Sequence, residues 1–153
     1  MVRLWNYVRS LSLVHVNGDS MAPTFRDGDL LLVSRTQDAV PDRGDLVVLK
    51  LQEADDMTHV KRVVGLPGDT IAFDDGSLFV NDGAISELYL GGLPQTLGLE
   101  SRRWTVANDE CFVLGDNRAH STDSREYGPV PLSTIRGVAK LRIWPIVRRR
   151  TRR

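Results

Sequence analysis

Apolar residues in this chain fall in short runs rather than in helical stripes. The runs at 11–16, 30–34, 46–51, 60–64, 110–114 and 138–143 are rich in branched and aromatic residues, and turn-forming residues bound them. Runs of that length predict half-buried or buried strands, because a helix would need apolar positions at a 3.6-residue period held for about ten residues or more. Along 59–64 the strand period puts His59, Lys61 and Val63 on one face and Val60, Arg62 and Val64 on the other. The polar punctuation is equally regular. Asp27-Gly28-Asp29 and residues 41–45 read as turns, and Leu66-Pro67-Gly68-Asp69 has proline and glycine where a type II turn takes them. Residues 70–73 and 78–81, with Asp74-Asp75-Gly76 and Asp82-Gly83, predict two successive hairpins. Residues 91–103 read as an exposed loop and 131–135 as a single helical turn. No repeat or long amphipathic helix interrupts this pattern. The expected class is all-β, an antiparallel architecture with little helix and a turn about every 8–12 residues.

Composition narrows the picture. A chain of 153 residues with 41% hydrophobic content holds one domain with its own core. The single cysteine, Cys111, has no partner for an internal disulfide and lies in an apolar run, which predicts a buried thiol. Formal net charge is zero but unevenly spread. Lys140, Arg142, Arg148, Arg149, Arg150, Arg152 and Arg153 crowd the C-terminal end, which holds no acid; without them 13 basic residues face 20 acidic ones. A basic tail beside an acidic body reads as a solvated end or a contact for an anionic surface. Nowhere do about 20 consecutive apolar residues form a membrane span. Leu4, Val8 and Leu11 fall at helical spacing with Trp5 between Arg3 and Arg9, which fits a short interfacial helix or a segment packed on the domain.

Three segments carry candidate chemistry. Gly18-Asp19-Ser20-Met21-Ala22-Pro23-Thr24 offers a hydroxyl in a turn constrained by glycine and proline, where backbone N–H groups can face an oxyanion. Alone, Ser20 is better read as a turn serine bonded to its own backbone. Lys61 lies in an apolar strand, and burial or a neighbouring cation such as Arg62 or His59 would depress its pKa far enough for it to act as a base; alone, it reads as a lysine snorkelling from a sheet edge. Gly115-Asp116-Asn117-Arg118, with Ser121, Asp123-Ser124-Arg125 and Gly128, packs hydrogen-bonding groups after the apolar run ending at Leu114, as a site scaffold does. Serine, lysine and scaffold together point to acyl transfer. A serine triad of Ser20 with His59 or His120 and Asp123 is the rival arrangement, although the Gly-X-Ser-X-Gly elbow is absent. His15, His59, His120 and Cys111 show no metal-ligand spacing, and the phosphate-loop and dinucleotide fingerprints are missing.

In order and identity these segments resemble the type I signal peptidases, serine-lysine membrane proteases of bacteria and organelle inner membranes. The resemblance rests on Ser20-Met21-Ala22-Pro23-Thr24, Lys61 to Asp69, and Gly115 to Gly128, with Asn81-Asp82-Gly83 and Leu141-Arg142-Ile143-Trp144-Pro145 in support. It implies an antiparallel β fold. Residues 13–145 would be the catalytic domain, with a reduced β insertion at about 70–104, between an N-terminal segment at 1–12 and a basic tail at 146–153. Ser20 would be the nucleophile and Lys61 the general base, with Ser121 orienting the lysine and Asp123 and Arg125 forming a supporting ion pair. The oxyanion would be held by the Ser20 N–H and a group two residues earlier, here Gly18, which has only a backbone donor to give. Substrates would be preproteins or leader peptides cut after small residues at −3 and −1, with Met21 and Pro23 lining the pocket. No cofactor and no nucleic acid is implied. The family works at a membrane surface with its site outside the cytoplasm, usually behind N-terminal spans; none is legible here, so a soluble enzyme dedicated to one substrate is an alternative. Two other readings remain: a self-cleaving repressor of the SOS type, which shares the Gly-Asp-Ser-Met start but needs an Ala-Gly or Cys-Gly bond that this chain lacks, and a catalytically idle binding module or accessory subunit.

Overall fold

The computed structural model describes residues 11–35, 40–51, 57–91 and 102–145. In chain order its strands are β1 (Leu11–His15), β2 (Leu30–Ser34), β3 (Leu46–Leu49), β4 (His59–Gly65), β5 (Thr70–Asp74), β6 (Ser77–Val80), β7 (Gly83–Ala84), β8 (Arg103–Thr105), β9 (Glu110–Leu114), β10 (Val130–Pro131) and β11 (Ile135–Trp144). Seven of them form one antiparallel sheet in the order β1-β2-β11-β3-β4-β9-β10, and four form a smaller one in the order β7-β6-β5-β8. The chain is therefore all-β. One short helix, α1 (Ser124–Tyr127), and three single 3₁₀ turns complete the described residues.

Each apolar run becomes a strand because its side chains have two places to go. Along β9, Cys111 and Val113 enter a cluster with Val47, Leu49, Val63 and Val138, whereas Phe112 and Leu114 enter another with Ile71, Phe73, Leu78 and Val64. The second cluster joins the small sheet to the large one, and Trp104 of β8 sits 5.2 Å from the Phe112 ring. A third cluster, of Val16, Met21, Phe25, Leu31, Val33, Val48 and Val60, lies beneath the connection between β1 and β2. Truncating a side chain as buried as Phe112 costs about 3–5 kcal/mol. Cys111 is fully buried, and burial, with a smaller contribution from Glu110, pushes its thiol up to about 12.

Turn chemistry agrees with the sequence. The Asp69 N–H donates to Leu66 O at 3.0 Å with Gly68 at φ +85°, the positive dihedral that a type II turn requires. Both expected hairpins form, β5 with β6 and β6 with β7. The expected helical turn is the 3₁₀ turn Leu132–Thr134. A correction falls at the end of the expected loop, where Arg103–Thr105 is a strand on the edge of β5. Three residues are too few for alternation to reveal it. The loop's middle, the N-terminal ten residues and the basic tail lie outside the described residues. Among the described residues no helix is long and apolar enough to cross a membrane.

Candidate active site

Ser20 sits at the crest of the connection between β1 and β2. The Ala22 N–H donates to Asp19 O at 3.0 Å and the Phe25 N–H to Met21 O at 2.9 Å, so two tight turns follow each other across it. Met21 and Phe25 are the anchors. Met21 is 1% exposed and packs into the third core cluster, which makes it part of the floor beneath the serine rather than an open pocket wall; Pro23 is exposed beside it. Ser20 itself is half-buried, and neither its hydroxyl nor its N–H has a hydrogen-bond partner among the described residues. Gly18 differs: its N–H donates to Asp27 Oδ1 at 2.8 Å, so the backbone donor expected from it is committed to the turn.

Lys61, the expected base, lies on β4. It pairs across the strands with Val47, on the face that carries the Val47–Val63–Val113 cluster, and is only 3% exposed. Its Nζ donates to Ser121 Oγ at 3.1 Å. Burial lowers its pKa below the ordinary lysine value; the Asp123 carboxylate opposes that and the Arg125 guanidinium adds to it. Arg62, expected to help, lies on the opposite face, where Nε and Nη2 meet the Asp116 carboxylate at 2.9 and 2.7 Å. Strand alternation alone separates the two cations.

The loop after β9 links the serine turn to Ser121, the residue that Lys61 contacts. The Asn117 N–H donates to Ser20 O at 3.0 Å and Asn117 Nδ2 to Asp19 O at 3.1 Å. Gly115 is the close approach. A Cβ there would lie 2.1 Å from Ser121 Oγ and 2.6 Å from Ser20 O, so the two serines flank a space that only glycine leaves open. Beneath it Asp123, wholly buried, accepts from Arg125 Nε at 2.7 Å, from Arg125 Nη2 at 2.8 Å and from the Gly115 N–H at 2.9 Å. Arg125 also holds Ser121 O at 3.1 Å and Arg118 O at 2.8 Å. The expected Asp123–Arg125 ion pair is thus present and braces the residue that contacts Lys61.

Those bonds leave the rival triad without support. Both Asp123 oxygens serve Arg125 and Gly115, and His120 is exposed on a 3₁₀ turn. Other residues were not singled out by sequence. Thr24 Oγ1 donates to Asp116 Oδ2, which ties the serine turn to the Arg62–Asp116 pair. Glu87 pairs with Arg118, and the Tyr89 ring lies 3.9 Å from the Arg62 guanidinium carbon. Asp116 and Arg118 stood inside a noted motif, but their partners lie far along the chain, where no local spacing points to them.

The model of the family described as signal peptidase, peptidase S26, matches residues 3–144. A signal peptidase I of Bacillus caldolyticus is 39% identical over 144 residues, covering 85% of this chain and 78% of that protein. A signal peptidase I of Streptococcus pneumoniae serotype 4 is 34% identical over 174 residues, covering 90% of this chain and 84% of that protein. Among solved structures, a signal peptidase I from Enterococcus faecalis V583 superposes with a TM-score of 0.54 at 29% identity, covering 67% of this chain and 98% of that one.

Proposed function

Because this chain belongs to the signal peptidase family, peptidase S26, we propose that it removes N-terminal leader peptides from preproteins by Ser20–Lys61 acyl transfer. It is a serine endopeptidase of the signal peptidase I type. The observation that carries the mechanism is a dry lysine amine bonded to Ser121 Oγ, beside a serine turn that reaches it across Gly115. A serine hydroxyl attacks a peptide carbonyl only as its proton leaves, and an uncharged Lys61 Nζ is the base that takes it. The tetrahedral oxyanion faces the unpartnered Ser20 N–H. On collapse the C–N bond breaks, Lys61 returns the proton to the departing amine, and an acyl-Ser20 ester remains. Water, deprotonated by Lys61, then adds to the ester carbonyl and releases the acid, which regenerates both groups. Ser121 fixes the amine, and the Asp123–Arg125 pair fixes Ser121.

Small residues at −3 and −1 are the proposed substrate requirement, with Met21 beneath Ser20 and the exposed Pro23 beside it. Residues 13–145 are assigned as the catalytic domain, with the small sheet as its insertion, acting on preproteins at a membrane surface. The test is mass spectrometry of a leader-peptide reporter with a small-X-small site, incubated in detergent with the wild type or Ser20→Ala. A single cut after the −1 residue that vanishes in the variant supports this reading. A folded wild type that leaves the reporter whole, or a Ser20→Ala chain that still cuts it, overturns it.

A further inference from the structure

Glu87 and Tyr89 lie outside the proposed reacting groups, on the connection that follows β7, and are half-buried against the scaffold. The Glu87 carboxylate accepts from Arg118 Nη1 at 2.9 Å, from Arg118 Nη2 and from the Tyr89 hydroxyl. The Arg118 and Glu87 side chains are 1% and 8% exposed. A pair this dry is weak support for a role in stability alone, because desolvating two charges offsets their attraction. Its geometry leads to the site instead. Arg118 Nε donates to Gly115 O at 3.0 Å, and Asp123 holds the Gly115 N–H, so both backbone groups of that glycine are gripped. The Arg118 carbonyl accepts from Arg125, one of the two charges acting on Lys61; Asp123 is the other. Tyr89 meanwhile backs Arg62, which holds Asp116, the next residue of the loop.

We propose that Glu87 is a positioning residue for catalysis: through Arg118 and Gly115 it sets the gap across which Ser20 meets Lys61 and Ser121. The inference rests on the Ser20–Lys61 chemistry proposed above. Without the Glu87 charge, Arg118 is a buried cation whose other attractive carboxylate is Asp116. It then competes with Arg62 for Asp116, the Gly115–Asn117 loop shifts, and water reaches Lys61.

Glu87→Gln and Glu87→Asp test this by kcat and KM on the leader-peptide reporter, and by NMR titration of the lysine side chains, which needs no turnover. Glu87→Gln is expected to lower kcat about tenfold or more with KM within about twofold. It should also raise the Lys61 midpoint by about one pH unit, and Glu87→Asp should restore most of both. Wild-type kcat together with a wild-type Lys61 midpoint in Glu87→Gln overturns the proposal, whatever happens to the melting temperature. Should Glu87→Gln fail to fold, Arg118→Lys, which keeps the charge but removes the Nε–H that Gly115 O accepts and the two-pronged grip on Glu87, must show the same kcat loss and the same Lys61 shift; wild-type values there overturn the proposal equally. A wild type that cuts nothing counts against the acyl-transfer reading, while the Lys61 titration still decides the role of Glu87.

Discussion

Lys61 is held where its charge is unwelcome, and its proposed role as a base follows from that. In water a lysine near pH 7 is protonated and cannot accept the serine proton; a desolvated one gives its proton up below the ordinary value of about 10.4. With the neutral amine as the proposed base, activity is expected to rise with pH through the depressed Lys61 pKa. A pH–rate profile of kcat/KM that is flat from neutral to alkaline would contradict a lysine base. Lys61→Ala should lower turnover by about 10²–10⁴-fold, and Lys61→Arg equally, because a guanidinium keeps its proton. Steady-state kinetics checks both, with circular dichroism to show that the fold persists. Gly115→Ala tests space rather than charge. Its methyl would strike Ser121 and the Ser20 carbonyl, so the variant should lose about 1–3 kcal/mol in urea unfolding and most of its activity. Wild-type kinetics in Gly115→Ala would mean that the serines need not be this close.

Among the elements, the turn from Ser121 into α1 is short and heavily used. Asp123 caps α1 through the Arg125 N–H while it pairs with the Arg125 side chain, all without solvent. Asp123→Ala leaves Arg125 a buried charge without its partner, and breaking such a pair costs about 3–5 kcal/mol. Urea unfolding should show that loss together with a fall in kcat; a purely kinetic effect would contradict the structural part of its role. This turn also marks where sequence stops being informative. β2 and β9 could be read at their ends, because apolar runs between turns state their own limits. The serine turn, Lys61 and the Asp123–Arg125 pair were legible through their motifs. Four residues of α1 are too few for a helical period, and β8 had only three. The commitment of Gly18 to Asp27, the pairing of Arg62 with Asp116 and the reach of Glu87 to Arg118 join segments that meet only after folding, so no local pattern announces them.

For the molecule as a whole, β9 matters most, because its alternate side chains feed the core of each sheet. The two sheets should therefore melt together. Trp104 emission in a Trp5→Phe, Trp144→Phe background, which reports the small sheet, and far-UV circular dichroism, which is dominated by the large one, are expected to trace one coincident transition. Separate midpoints would show that the small sheet unfolds by itself. The same alternation bears on any attempt to make a smaller enzyme. A shortened chain without β5 to β8 would keep the serine, the lysine and their immediate supports, yet it would bare Phe112, Leu114 and Val64 to water and leave Arg118 without Glu87. Miniaturisation would then fail where it looks safest, in the part of the protein that carries none of the proposed reacting groups.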